Sequence, residues 1–220
     1  MTPCAYFNEG KCIETMEAHL KRGLELLEGL YIERGYGNFL GRLLDVKPKA
    51  AEELLRKTHV IHDVGKCLET FQKRRESFGY HEFYSYLVAK EALGEFGTAG
   101  QIAAVAVLLH HHDWIRDRTV KKPQSLRLTK ECIQLVKELS GVSIPHEITW
   151  RQPIVEYETA EKILRKKLRG VYAILLSIAV ADNYAALCNR GGEGSMLGRE
   201  ITEVLKVRGW DFAGCLSRGL

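Results

Sequence analysis

The stretch HVIHDVGKC (His59–Cys67) sets His62 directly before Asp63, with Gly65 and Lys66 following, at the end of an apolar run. Imidazole nitrogen and carboxylate oxygen both ligate divalent metals. Neighbours on a helix point about 100° apart, so His62 and Asp63 can face one ion only where the helix is ending. Alternatively, Asp63 bridges two ions while His62 serves one. Gly65 permits a sharp backbone turn there. Alone, the dipeptide reads as an ordinary structural pair, but it has company. His19 sits mid-helix in MEAHLKRG, His81 opens HEFYSYLVA, and His110, His111 and His112 close AVLLHHHDW. Each of these also has a plain reading, as a half-exposed helix residue or a polar helix end.

Asp182, in IAVADNYAAL, is harder to treat so. A carboxylate in an apolar helix costs several kcal/mol unless it is paired or metal-bound. The positions three and four residues away are Ile178, Ala179, Ala185 and Ala186, so its partner comes from elsewhere in the fold. Taken together, these separated His and Asp elements favour a buried metal centre.

The elements that must position them are helical. Apolar residues recur at helical spacing almost throughout, without a clear run of alternating strands. The spacing predicts helices over Cys12–Leu30, Pro48–Asp63, His81–Leu93, Gly100–His112, Thr129–Ser140, Glu158–Arg169, Val171–Asn189 and Leu197–Arg208. Pro48 is a favoured first-turn residue. The fold class is all-α, a helical bundle, read as one domain over residues 1–220. Arg116–Arg127, Ser143–Pro153 and Asn189–Gly198 read as loops within it.

Composition sets the outer limits. The chain is 45% apolar and 27% charged, ordinary for a globular protein with a real core. Its 32 Lys and Arg against 28 Asp and Glu leave +4, mildly basic and compatible with an anionic partner. The six cysteines are scattered without a CxxC pair, which predicts reduced thiols and a cytoplasmic protein. Val171–Cys188 is long enough to cross a thin bilayer, but Asp182 and Asn183 in its middle mark a buried core helix instead, so no membrane partner is expected. No G-x-x-x-x-G-K-[ST] phosphate loop occurs, so ATP hydrolysis by that route is excluded.

The ordered set of His19, HDVGK, His81 in HEFYSYLVA, the histidines after AVLL and Asp182 resembles the HD superfamily of metal-dependent phosphohydrolases. Within it, the lone early histidine, the histidine opening a helix and the paired histidines resemble the CRISPR-associated HD nuclease. In type I CRISPR systems that domain is fused to a helicase or encoded as a stand-alone chain. The match spans about residues 15–190. The resemblance implies an all-α fold with a buried two-metal site. His19, His62, Asp63 and Asp182 would hold one ion, and Asp63 would bridge to a second completed by His81, His110 and His111. The pair could instead be His111 and His112; the position directly after AVLL favours the former. Lys66 would lie beside the bound phosphate, with Asp63 as the other catalytic residue. The resemblance further implies single-stranded DNA as substrate, a separate CRISPR helicase subunit and the RNA-guided surveillance complex as partners.

Phosphodiester cleavage suits such a site. An anionic ester repels nucleophiles and its alkoxide leaves poorly, and two ions about 3.5–4 Å apart can offset both difficulties. About five imidazoles with two carboxylates suit Mn²⁺, Co²⁺ or Ni²⁺ better than Mg²⁺, which the resemblance nonetheless allows. The alternative substrates are nucleotides or other small phosphate esters. One feature separates them: WIRDRTVKKPQSLRLTK (Trp114–Lys130) leaves the His cluster with Arg116, Arg118, Lys121 and Lys122 early in it. Such cations can guide a phosphate backbone, with Trp114 available to stack on a base.

Overall fold

The computed structural model describes residues 2–111, 120–192, 195–207 and 209. The fold is all-α as expected, apart from a small hairpin at its start. β1 (Cys4–Asn8) and β2 (Lys11–Thr15) pair antiparallel, joined through Glu9 and Gly10, both at positive φ. The helix expected from Cys12 therefore begins later, as α1 (Met16–Leu27). Thr15 decides the boundary: it is extended, and its hydroxyl accepts the Ala18 N–H at 3.2 Å, a side-chain cap. A π-helical turn, Glu28–Ile32, prolongs α1.

Next come α2 (Tyr36–Leu44), which periodicity did not reveal, and α3 (Pro48–Ile61) with proline in its first turn. A 3₁₀ turn over Val64–Cys67 leads into α4 (Glu69–Arg74). Then follow α5 (His81–Ala92), α6 (Thr98–Leu109), α7 (Lys130–Ser140), α8 (Pro153–Asn189) and α9 (Met196–Val207). The two helices expected over 158–169 and 171–189 are one, kinked at Lys167 (φ −128°, ψ 30°).

α6 forms the centre. Every residue from Ile102 to Leu109 is buried, which is why its sequence is apolar on all sides. It packs on α5 and α8, while α1 lies on α8 and α3. α8 is apolar and long enough to cross a membrane by length and composition, with a mean hydropathy of 1.7 over its most apolar window, but 67% of that window is buried inside the protein. Its apolar face is used on α1 and α6.

The reduced thiols expected from the scattered cysteines are corrected. Disulfides join Cys4 to Cys12 across the hairpin and Cys67 to Cys132 from the 3₁₀ turn to α7, with Cα separations of 5.7 and 6.2 Å. Cys188 is also disulfide-bonded. The second bridge spans 65 residues, a pairing that only the folded chain reveals. Disulfides occur in oxidising compartments and also inside hyperthermophile cells, so thiol content no longer argues for the cytoplasm.

Candidate metal centre

The packing of α1, α3, α5, α6 and α8 aims one or two side chains from each into a common point. His19 comes from the buried face of α1. α3 ends at Ile61, leaving His62 as its cap and Asp63 beyond it (φ −110°, ψ 6°), so the two neighbours point inward together. This is the helix-end arrangement that the dipeptide required. His81 opens α5 after Tyr80 takes a left-handed conformation, His110 caps α6 with His111 following, and Asp182 sits within α8.

Gly65 serves differently from the turn anticipated for it. Its φ is not positive; instead a Cβ there would stand 2.1 Å from the His81 carbonyl oxygen. The glycine lets the turn after α3 touch the first residue of α5 backbone to backbone.

The donors form two groups, and Asp63 belongs to both. Its Oδ2 lies 3.3 Å from His19 Nε2 and 3.6 Å from His62 Nε2. Asp182 Oδ1 lies 3.1 and 3.7 Å from the same two nitrogens. Asp63 Oδ1 faces the other way, 3.1 Å from His81 Nε2 and 3.3 Å from His110 Nε2. His111 Nε2 closes this second group 2.9 Å from His81 Nε2.

Three observations show that the donors fit cations. First, Nε2 of His19, His62 and His110 and Oδ1 of Asp63 are buried without hydrogen-bond partners, an expensive condition for polar atoms. Second, the opposite ring nitrogens are all engaged. Nδ1 of His62, His81 and His110 faces the carbonyls of His59, Phe78 and Val107 at 2.5, 2.7 and 2.7 Å, and Nδ1 of His19 faces Glu14 Oε1 at 2.8 Å. A proton donated on that side leaves the Nε2 lone pair pointing inward, as metal-ligating histidines require. Third, ligands about 2.1 Å from an ion lie about 3.0 Å apart at right angles and about 3.4 Å apart at tetrahedral angles, a range that most of the donor separations match.

The electrostatics agree. Burial disfavours a charged imidazole, yet the nearby carboxylates of Asp182, Asp63 and Glu14 raise the His19 pKa well above its ordinary value, so in the absence of a cation a proton takes its place at Nε2. Burial disfavours the Asp63 carboxylate, but Lys66 and His62 hold its pKa well below the usual range; His19 and His62 do the same for Asp182. In the metal-free protein Lys66 and the histidines supply the positive charge that faces these carboxylates, a role that a bound cation would share. At the other end, burial and the neighbouring His110 and His81 push His111 down to about 2, keeping it neutral.

Lys66, itself buried, places Nζ 2.5 Å from Asp63 Oδ2. The centre opens into a groove of about 790 Å³, lined by His81, His111, Asp182 and Lys66 and walled by Tyr6, Phe7, Phe78, Arg75 and Arg190. Asn183, which follows Asp182, also lines it.

All seven sequence-selected His and Asp residues thus come together, with His110 and His111 as the described pair; His112 lies outside the described residues. So do Trp114, Arg116 and Arg118. Lys121 and Lys122 are exposed but do not line this groove. Lys122 borders a separate depression with Glu69, Arg127, Glu147 and Trp150, and the Lys121 carbonyl accepts the Tyr84 hydroxyl of α5 at 3.1 Å. His59 is fully buried beside His62, with ring centroids 5.0 Å apart, and belongs to neither group.

The HD domain profile matches residues 16–187, most of the chain and the whole donor set. The chain belongs to the HD domain family. No curated protein matches it. Membership in the HD family brings metal-dependent phosphohydrolase chemistry, in keeping with the donors just described. The sequence did not single out Glu14, Arg75 or Arg190, nor the aromatic wall. Nothing in local spacing separates Glu14 from Glu17 or Glu25; its contact with Arg190 crosses 176 residues.

Proposed function

We propose that this HD-family protein is a metal-dependent nuclease that hydrolyses phosphodiester bonds of single-stranded DNA, the stand-alone nuclease subunit of a type I CRISPR interference system. The observation that carries the reading is the double use of the buried Asp63, one oxygen to each donor group, beneath a groove that His81, His111 and Asp182 line. His19, His62, Asp63 and Asp182 would hold one divalent ion, and Asp63, His81, His110 and His111 the other. Mn²⁺, Co²⁺ or Ni²⁺ match the donor set, and Mg²⁺ is accepted less well. When bound in these two groups, divalent ions would supply an activated water and charge stabilisation for the attacking and departing oxygens of the phosphate.

The chain's own residues supply the rest. The histidines aim fixed lone pairs through their Nδ1 contacts, so little reorganisation remains at the moment of reaction. Lys66 brings a cation to the groove beside Asp63, where a bound phosphate oxygen would lie. Tyr6, 38% exposed and with one face on Arg190, and the stacked pair Phe7 and Phe78 give the groove an aromatic wall against which unpaired bases would pack. Arg75 adds charge at the rim. By the sequence reading, Arg116, Arg118, Lys121 and Lys122 would guide the strand; of these, Lys121 is tied to α5 through Tyr84. With no phosphate loop for ATP, strand separation would fall to a separate helicase subunit acting after the RNA-guided surveillance complex has opened the target.

The test is a parallel assay of purified protein with Mn²⁺ on labelled linear single-stranded DNA, circular single-stranded DNA, duplex DNA and nucleotides. Cleavage of single strands with duplex spared supports the reading, and the circular substrate distinguishes internal from terminal attack. Activity confined to nucleotides would replace it with a small-ester phosphohydrolase.

A further inference from the structure

Glu14 is a carboxylate that no motif accounts for. It sits on β2, 2% exposed, just before the Thr15 cap of α1. Both of its oxygens are engaged. Oε1 meets His19 Nδ1 at 2.8 Å and the Asn189 side-chain amide at 2.9 Å; Oε2 accepts two hydrogen-bonding contacts from the Arg190 guanidinium, each 2.8 Å. Paired with the Arg190 guanidinium and hydrogen-bonded by the Asn189 amide, it stands behind His19 as a buried ion-paired carboxylate.

The contrast with the other inward-facing histidines is informative. His62, His81 and His110 have Nδ1 hydrogen-bonded to backbone carbonyls, with Glu82 standing off at 3.6 Å from His81, whereas His19 Nδ1 is hydrogen-bonded directly to a carboxylate at 2.8 Å. A carboxylate behind an imidazole fixes the tautomer and raises the basicity of the opposite nitrogen. Here that nitrogen is His19 Nε2, buried and without a hydrogen-bond partner between Asp63 and Asp182. A third carboxylate so near would repel the other two if left bare. Arg190 offsets it, and stacks in turn on Tyr6 with its guanidinium 4.0 Å from the ring centroid.

We infer that Glu14 is a positioning residue that holds His19 on the first ion and makes that site the tighter of the two. This rests on the metal-centre reading above. The probe is Co²⁺, titrated into metal-free full-length protein by calorimetry and visible absorption. Wild type should show two binding events. Glu14→Gln keeps an acceptor but loses the charge, and should weaken the tighter event by about 10–100-fold while leaving the other within the error of measurement. Its Co²⁺ absorption should shift, because the donor strength of His19 has changed. Arg190→Met removes the ion pair to β2 but not the contact with His19, and should weaken binding far less than Glu14→Gln. Glu14→Ala should exceed Glu14→Gln; if it does not fold, the glutamine variant carries the test. Two wild-type-like events in Glu14→Gln, equal weakening of both events, or an Arg190→Met loss as large as that of Glu14→Gln would overturn the inference. A wild-type protein that takes up no Co²⁺ would instead overturn the metal-centre reading itself.

Discussion

The two donor groups share Asp63 and otherwise differ in chemistry and setting. The first combines two carboxylates with two imidazoles, and all four residues are buried. The second combines one carboxylate with three imidazoles, and His111 at its margin packs its ring on His81 and His110 while part of the residue reaches solvent. The first draws its donors from α1, α8 and the end of α3, and carries the additional charge of Glu14 behind His19. The second depends on the start of α5 and the end of α6; Nδ1 of His81 and of His110 is hydrogen-bonded to a backbone carbonyl, with the Glu82 carboxylate no nearer than 3.6 Å to His81. An oxygen-richer, more enclosed site suits a resident ion, whereas a nitrogen-rich site facing the groove suits one that arrives and leaves with substrate. A single shared carboxylate can therefore join two unlike sites, so substitutions should divide into those that affect both and those that affect one.

Asp63→Ala should have the largest effect, because both groups lose an oxygen at once. Cleavage in Mn²⁺ should fall by about 10³-fold or more, the upper range for removing one preorganised electrostatic group. Metal analysis should show less bound ion than in wild type. Near-wild-type activity would end the shared-carboxylate account.

Asp182→Asn touches the first group alone and preserves side-chain shape. Activity should be lost while the helix stays folded. The melting temperature should fall in EDTA through the lost pairing with His19 and fall further in Mn²⁺, because the gain on adding Mn²⁺ should shrink. That gain amounts to about 2.7 kcal/mol at 100-fold excess over the dissociation constant. Equal destabilisation with and without Mn²⁺ would make Asp182 a structural partner of His19 and nothing more.

His111→Ala touches the second group alone. One Co²⁺ should remain bound at wild-type affinity while activity drops, recoverable in part by raising Co²⁺. Loss of both ions would show that the two groups are not separable.

The joint replacement of Lys121 and Lys122 by Ala leaves the donors intact. Single-stranded DNA binding should weaken, and its log–log salt slope should flatten by roughly 0.7 for each phosphate no longer neutralised. Hydrolysis of a small chromogenic phosphodiester should stay near wild type. An unchanged slope would confine the DNA to the aromatic groove.

The smallest effect concerns the anchoring of α5. Burial raises the Tyr84 hydroxyl, which donates to the Lys121 carbonyl, from 10.0 to about 12. A raised pKa means that the folded state keeps the proton longer. This stabilisation is therefore complete below pH 10 and fades as pH climbs through about 12. Tyr84→Phe should flatten the stability profile in that window by denaturant titration. An identical alkaline profile would detach Tyr84 from the second group's support.

Much of this was legible in the sequence. α3, α5 and α6 lie within a few residues of their expected limits, because proline, apolar periodicity and polar ends agree there. The donors were legible because ligands must be His or Asp whatever surrounds them. The hairpin was not: Cys12–Thr15 continues the amphipathic pattern of α1, and the Thr15 cap and the bond to Cys4 alone break it. α2 escaped because Gly37 and Gly41, poor helix formers, interrupt its pattern. Glu14 and Arg190 meet only through tertiary packing, so no local signal distinguishes them.

The bare backbone contact between residue 65 and α5 acts as a gauge for the whole centre. Ordinary van der Waals separation begins near 3.4 Å, so the smallest side chain at that point, meeting the His81 carbonyl at 2.1 Å, would push α5 away by something over an ångström. His81 would travel with it while Asp63 stayed behind on the preceding turn. Working sites tolerate displacements of only about 0.5 Å. The interval between the two donor groups is thus calibrated by a hydrogen atom where other residues carry carbon, and a designer who wished to retune that interval would begin at a residue that belongs to neither group.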